Sequence, residues 1–160
     1  MNIRRAEEGD VPRIMEIYNQ AVLATTATFD VEPRSLEDRR EWFGKHGSKH
    51  PVLVAGDGEA QGWASLSRWS DRAAYHASVE ISVYVDEKAR GKGMGRALME
   101  AIVAEARRLG HHTILARIAG DNPVSIHLHE ALGFVMAGTV REVGFKFGRW
   151  LDVVTMQLML

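Results

Sequence analysis

Apolar residues near the start of the chain recur at spacings of three and four, the period of a helix with one buried face. Asp10 precedes this stretch and is a residue type that caps helix N-termini, and Pro12 suits a first helical turn. The pattern predicts a helix that begins after Asp10 and ends near Leu23. Its apolar stripe consists of Val11, Ile14, Met15, Tyr18, Ala21 and Val22.

Shorter elements are predicted on both sides of this helix. Residues 2–5 are typical of a short strand, and residues 25–33 of a loop. Ser35, followed three positions later by Asp38, resembles a capping box with Asp in place of Glu. It predicts the start of a second helix, which carries two large aromatic residues, Trp42 and Phe43.

The middle of the chain has the pattern of an antiparallel sheet. Residues 51–55 and 61–69 predict two strands joined by a hairpin turn at Asp57-Gly58, and a polar connection follows over residues 70–76. The clearest strand comes next, because apolar and mostly polar residues alternate with a period of two. Its apolar positions are Val79, Ile81, Val83 and Val85.

Strand–helix units follow in the second half. Residues 86–95 break the alternation with three glycines, and helical spacing then extends from Arg96 to Leu109. A strand is expected over residues 113–118, and a helix capped by Asn122 should run to Leu132. Two late strands, at 134–140 and 151–160, are separated by a connection that includes residues 144–148. The order predicts a mixed α/β or α+β domain with a largely antiparallel first half.

Composition narrows the classes of function. The chain has 160 residues, 46% hydrophobic and 26% charged, which suits a single domain, 1–160. It contains no cysteine, which excludes disulfides, thiolate metal sites and a cysteine nucleophile and suits the cytoplasm. A net charge of −1 argues against nucleic-acid or anionic-lipid partners, and neither a signal peptide nor a membrane-spanning run is expected.

The glycine-rich loop carries the strongest chemical signal. Arg90-Gly91-Lys92-Gly93-Met94-Gly95-Arg96 follows the clearest strand and opens a helix, so its backbone N–H groups should converge near the positive helix end. That arrangement suits a phosphate or diphosphate. The segment lacks the spacing of a P-loop, and no acidic residue of a dinucleotide fingerprint lies about 20 positions on. A glycine-rich turn with solvated basic residues remains the alternative.

Together with downstream residues, this loop resembles the GNAT superfamily of acetyl-CoA-dependent N-acetyltransferases. The resemblance rests on Arg90-x-x-Gly93-x-Gly95 after a strand, on Asn122, and on Leu128-His129-Glu130-Ala131-Leu132-Gly133-Phe134. Further segments are similar to the phosphinothricin and methionine sulfoximine acetyltransferases. They are residues 25–29, Trp69, Arg72, Tyr75, residues 80–85 and residues 143–152.

The resemblance implies a central twisted sheet with a splayed strand pair, flanked by about four helices, and acetyl-CoA as the cosubstrate without a metal. The backbone of Val83, Tyr84 and Val85 would pair with the pantetheine arm, as in β-augmentation. Asn122 would reach the cofactor from the next strand–helix junction. The diphosphate would be wrapped by Arg90, Gly91, Lys92, Gly93, Met94, Gly95 and Arg96.

Two residues are candidates for proton transfer. Glu80 lies on the strand that should enter the site, and relatives place a proposed base there; on residues alone, a solvated strand carboxylate is the alternative. His129 occupies a position where many superfamily members have a tyrosine proposed to protonate the leaving thiolate. Its imidazole has the chemistry either to accept the amine proton or to donate to the thiolate; on residues alone, a structural histidine is the alternative. We favour Glu80 as the base and His129 as the donor.

The acceptor site is also predicted by resemblance. Phe29, Arg72, Ala73, Ala74 and Tyr75 match positions near bound substrate in the family. An arginine can hold a carboxylate in bidentate fashion, so Arg72 would favour an α-amino acid, although a surface arginine is the alternative. Residues 143–152 are expected at a homodimer interface and at the pocket rim.

These observations predict an N-acetyltransferase that transfers acetyl from acetyl-CoA to a small L-amino acid or analogue. Acceptors of the phosphinothricin, methionine sulfoximine or methionine sulfone type are expected, with direct attack of the amine in a ternary complex. Two alternatives are a protein or peptide N-acetyltransferase and a non-catalytic acyl-CoA-binding domain.

Overall fold

A computed structural model describes all residues, 1–160, and contains one seven-stranded sheet with helices on both faces. The strands are β1 (Ile3–Arg5), β2 (Val52–Ala55), β3 (Gly62–Arg68), β4 (Ser78–Val85), β5 (Thr113–Ala119), β6 (Val135–Lys146) and β7 (Arg149–Met159). The helices are α1 (Val11–Ala24), α2 (Leu36–Gly44), α3 (Met94–Arg108) and α4 (Pro123–Ala131). Short 3₁₀ turns occupy Glu8–Asp10, Ala73–Tyr75 and Glu87–Ala89.

The sheet has the order β1-β2-β3-β4-β5-β7-β6, and all neighbouring strands are antiparallel except β4 and β5. This confirms the predicted mixed α/β fold with a largely antiparallel sheet and about four helices. None of the helices combines the length and the apolar character needed to cross a membrane.

Two apolar clusters cover the two faces of the sheet. On one face α3 packs its buried stripe, including Leu98 and Ile102, against β3, β4, β5 and β7. On the other face α1 packs Ile14 and Ile17 around Trp63 of β3. Alternation along β3 sends Trp63 to one cluster and Ala64 to the other, so a period of two in the sequence becomes a two-sided core.

The N-terminus of α1 differs from the prediction. Asp10 has helical backbone angles, and its side chain makes no capping bond to α1. Its carboxylate instead accepts two hydrogen bonds from the Arg4 guanidinium, at 2.8 and 2.9 Å, and a third from the Glu7 N–H. The predicted cap was wrong because a longer-range ion pair to Arg4 competes for the same carboxylate. Ser35, by contrast, does cap α2 by accepting from the Asp38 N–H.

The final hairpin is also longer than predicted. β6 continues to Lys146 and β7 already begins at Arg149, so the expected connection over residues 144–148 shrinks to Phe147 and Gly148. Both turn residues have positive φ, 53° and 73°, which allows a tight turn whose twist matches that of the flanking strands. A phenylalanine at positive φ is uncommon, so sequence rules favour a longer loop there.

Candidate active site

The site is organised by a fork in the sheet between β4 and β5. The two strands pair at only three positions, Ser78 with Thr113, Val79 with Ile114 and Glu80 with Leu115. Beyond Glu80, β4 stays with β3 as far as Val85, whereas β5 follows β7 as far as Ala119. The predicted splayed strand pair is therefore confirmed. One side of residues 81–85 has no strand partner.

A cavity of about 750 Å³ fills the fork. Its walls come from β4, β5, the loop before α3, α4 and the loop after α1. Most of the predicted cofactor-binding and catalytic residues line it. They are Glu80, Val83, Tyr84, Val85, Arg90, Gly91, Gly93, Met94, Gly95, Arg96, Asn122 and His129.

One end of the cavity is formed by the glycine-rich loop. Gly91 and Gly93 have φ of 75° and 83°, and a Cβ built on either would meet no atom within 4 Å. Open space beside left-handed backbone, directly before the first turn of α3, fits an anionic ligand such as a diphosphate. Lys92 belongs to the loop but does not line the cavity; its ammonium group lies 3.4 Å from the Lys88 carbonyl.

Several other side chains at this end already form hydrogen bonds or ion pairs within the protein. The Arg90 Nε donates to the Val85 carbonyl at 3.1 Å, and Arg96 pairs with Glu100 at 2.9 Å. Asn122 accepts the Ser125 N–H and so caps α4, which leaves its amide NH₂ for a ligand. The Tyr84 hydroxyl donates to the Ala27 carbonyl, and the Tyr84 backbone pairs with Trp63 of β3, so its polar groups are already engaged within the protein.

Glu80 lies at the base of the fork in an ion pair that the sequence did not predict. The Arg117 Nε donates to Glu80 Oε2 at 2.5 Å, and Nη2 donates to Oε1 at 2.7 Å. These bonds raise the pKa of Arg117. Arg117 lies two residues beyond Leu115, the partner of Glu80, and therefore on the same sheet face. The β4–β5 register would have revealed it, but the sequence does not specify that register.

His129 is buried in α4, 7% exposed, and faces the same cavity. Its Nδ1 lies 2.7 Å from the Ser125 carbonyl oxygen; because a carbonyl only accepts, Nδ1 carries the proton and Nε2 is free to accept. Burial lowers the pKa of His129 below 6.5, so the neutral imidazole predominates at pH 7. The Phe134 ring packs edge-on against it.

The predicted acceptor residues fall into two groups. Phe29 lines the cavity, and its ring packs closely against Gly144, where an added Cβ would lie 2.2 Å from a ring carbon. The buried Lys146 donates to the neighbouring Thr28 carbonyl at 2.8 Å, so the end of β6 supports this loop. Arg72, Ala73, Ala74 and Tyr75 lie instead on an exposed turn before β4 and do not line the cavity. Their acceptor role stays a prediction.

Comparisons with known proteins agree with this geometry. Residues 3–155 match the family model described as an acetyltransferase (GNAT) domain. An L-methionine sulfoximine/L-methionine sulfone acetyltransferase of Pseudomonas aeruginosa is 44% identical, over 99% of this chain and 94% of its own length.

Solved structures give the same result. A ribosomal-protein-alanine N-acetyltransferase from Brucella melitensis superposes with a TM-score of 0.97 at 41% identity, covering 100% of both chains. A phosphinothricin acetyltransferase from Sinorhizobium meliloti, solved with acetyl-CoA, superposes with a TM-score of 0.96 at 40% identity, covering 99% of this chain and 88% of its own. The forked sheet, the glycine-rich loop and these matches together establish that the chain belongs to the GNAT acetyltransferase family and is an N-acetyltransferase.

Proposed function

We propose that the enzyme transfers acetyl from acetyl-CoA to the amino group of a small L-amino acid or analogue, by direct attack of the amine in a ternary complex. The observation that carries the proposal is one cavity with the glycine-rich loop, residues 90–96, at one end and Glu80 at the other. We call this loop the anion cradle. Relatives whose names specify methionine sulfoximine, methionine sulfone and phosphinothricin support this acceptor class. We further propose that residues 1–160 act as one domain in the cytoplasm, a reducing compartment that suits a chain without cysteine.

Acetyl-CoA, the acetyl donor, would lie along the fork. The free edge of β4 offers the N–H and C=O of Val83 and the N–H of Val85 to the amides of the pantetheine arm, whereas the backbone of Tyr84 pairs with β3. Such groups are costly to leave unpaired. The N–H groups of residues 91–96 would hold the diphosphate, aided by the α3 dipole. The amide of Asn122 would add a donor from the opposite wall. Acetyl-CoA supplies the activated acetyl group.

Glu80 would receive the amine proton. The carboxylate group lies at the base of the fork, where it attracts the acceptor's ammonium group. Both carboxylate oxygens already accept from Arg117, so one water would relay the proton. The neutral state of His129 works against our expectation that it donates to the thiolate, since a donor must first be protonated. Its free Nε2 makes it the rival base.

Thiol release tests the proposed reaction. We expect release of CoA with phosphinothricin, methionine sulfoximine or methionine sulfone, and much less with an aromatic amine or a short peptide. Preferential turnover of the peptide would instead support a protein acetyltransferase. Binding of acetyl-CoA without thiol release from any acceptor would support the non-catalytic alternative.

Replacing Gly93 tests the cradle. Gly93→Val would place a side chain in the open space beside the loop and strain a left-handed backbone, so we expect affinity for CoA to fall at least about tenfold in calorimetry. Gly110→Val is the matched control, because Gly110 has a φ of 80° and equally open surroundings but lies outside the cavity. Equal affinity in the two variants would contradict the cradle.

The pH dependence of catalysis separates Glu80 from His129. Removing the true base should lower kcat by about 10² to 10⁴-fold with CoA affinity retained. If Glu80 is the base, Glu80→Gln flattens or moves the acidic limb of the kcat/KM profile, and His129→Asn preserves it. A limb from His129 would lie below pH 6.5, because burial lowers its pKa from that value. An acceptor whose amine has a lower pKa moves any acidic limb that comes from the substrate itself and so identifies it. Full kcat and an unchanged profile in Glu80→Gln, together with loss of both in His129→Asn, would make His129 the base.

We also propose that the chain forms a homodimer through its last hairpin. β6 is an edge strand of 12 residues with one side unpaired. Long apolar edges are rare in monomers because they pair with other chains. The exposed apolar residues of this hairpin are Val135, Met136, Val140, Val143, Phe145, Phe147, Trp150 and Met159. Because Gly144 of β6 contacts Phe29, which lines the cavity, the interface would extend to the rim of the cavity.

Sedimentation equilibrium tests the dimer. The wild type should sediment at twice the mass of one chain, and Val140→Glu should shift it toward the single chain by placing a charge in the interface. Val31→Glu is the control, since Val31 is 65% exposed but lies in the loop before α2. A wild type that sediments as a single chain would refute the proposal.

A further inference from the structure

Arg117 has a second hydrogen-bonding edge that the protein does not use. A guanidinium carries five N–H donors, and Glu80 takes one from Nε and one from Nη2. The Nη1 group and the second N–H of Nη2 have no partner in the structure. The side chain is 57% exposed and lines the cavity beside Glu80, so this edge is open to a ligand.

The orientation of this edge is held from two sides. The bidentate pair with Glu80 fixes the guanidinium plane across the base of the fork. Trp69, which follows β3, places its ring below the same group, with Arg117 Cζ 5.3 Å from the ring centroid. A cation held in this way loses little further freedom when a planar carboxylate binds it.

An adjacent carboxylate and guanidinium complement a zwitterion. In an α-amino acid the ammonium and carboxylate groups are attached to the same carbon, so an acceptor whose amine approaches Glu80 brings its own carboxylate near Arg117. Glu80 alone would repel that carboxylate. A guanidinium between the two anions removes the repulsion and donates to both.

We propose that Arg117 is the residue that binds the acceptor's carboxylate, through the Nη edge turned away from Glu80, and so selects α-amino acids over simple amines. The inference rests on the proposed function and names the acceptor-recognising group within it. It assigns to Arg117 the task that the sequence predicted for Arg72, which lies on an exposed turn outside the cavity.

The inference is tested by removing the arginine and the acceptor's carboxyl group, singly and together, and comparing the kinetic effects. L-methionine sulfone is compared with the amine in which hydrogen replaces its carboxyl group, using wild type, Arg117→Gln, Arg117→Lys and Arg72→Ala. Any effect of Arg117 that acts through the position of Glu80 lowers kcat for both acceptors alike. Loss of carboxylate binding raises KM for the amino acid alone.

We expect Arg117→Gln to reduce kcat/KM for methionine sulfone about 10- to 100-fold more than for the decarboxylated amine. Arg117→Lys should recover part of this difference, because it restores the charge without the fork. Unchanged CoA affinity in calorimetry shows that the variants are folded. Arg107→Gln is the matched control, since Arg107 is an exposed arginine of α3 with no ion pair and no contact with the cavity.

Two results would overturn the inference while the proposed function stands. Equal losses on both acceptors would make Arg117 only a positioning residue for Glu80. Loss of the carboxylate preference in Arg72→Ala, with the preference intact in Arg117→Gln, would return the task to Arg72. Failure of the wild type to release thiol with either acceptor would overturn the proposed function itself, and this inference with it.

Discussion

The end of β4–β5 pairing after Glu80 is the constraint on which the rest of the site depends. Each strand remains bonded to its other neighbour, β4 to β3 and β5 to β7, so the two halves of the sheet diverge. The divergence opens a cavity and leaves one edge of β4 without a strand partner. Because buried backbone groups are costly to leave unpaired, this edge suits a ligand that is itself an extended chain of amides.

The two ends of the fork follow from the elements that close it. The loop after β4 leads into α3, so left-handed glycines and a helix N-terminus lie at the open end. At the closed end the last paired residue, Glu80, meets Arg117, the next residue on the same face of β5. The sites that we propose for the cofactor diphosphate and for the acceptor amine therefore lie at opposite ends of one cavity.

Much of this arrangement could be predicted from the sequence. The alternation at 79–85, the glycine-rich loop and the helical spacing after it are local patterns, so they located β4, the loop before α3 and α3 itself closely. The capping residues Ser35 and Asn122 also make the expected bonds. Glu80 and His129 both reach the cavity because residue order along a strand or helix sets the direction of each side chain.

What the sequence could not predict depends on non-local partners. Arg117 contacts Glu80 only because of the parallel register between β4 and β5. Asp10 does not cap α1 with its side chain, because its carboxylate accepts hydrogen bonds from Arg4 instead. The long final hairpin depends on Phe147 adopting positive φ, which its residue type disfavours. The position of residues 72–75 outside the cavity is a further non-local feature, since it depends on the whole β3–β4 connection; the acceptor role of these residues stays a prediction.

Hydrogen exchange in the presence of acetyl-CoA is the most direct test of the claim that the fork holds an extended cosubstrate. The amides of Val83 and Val85, whose N–H groups face the fork, and those of residues 91–96 should become protected when acetyl-CoA is added, and those of the edge strand β6 should exchange as before. Protection of residues 91–96 without any change at Val83 and Val85 would contradict the account, because the diphosphate would then bind without the arm pairing along β4.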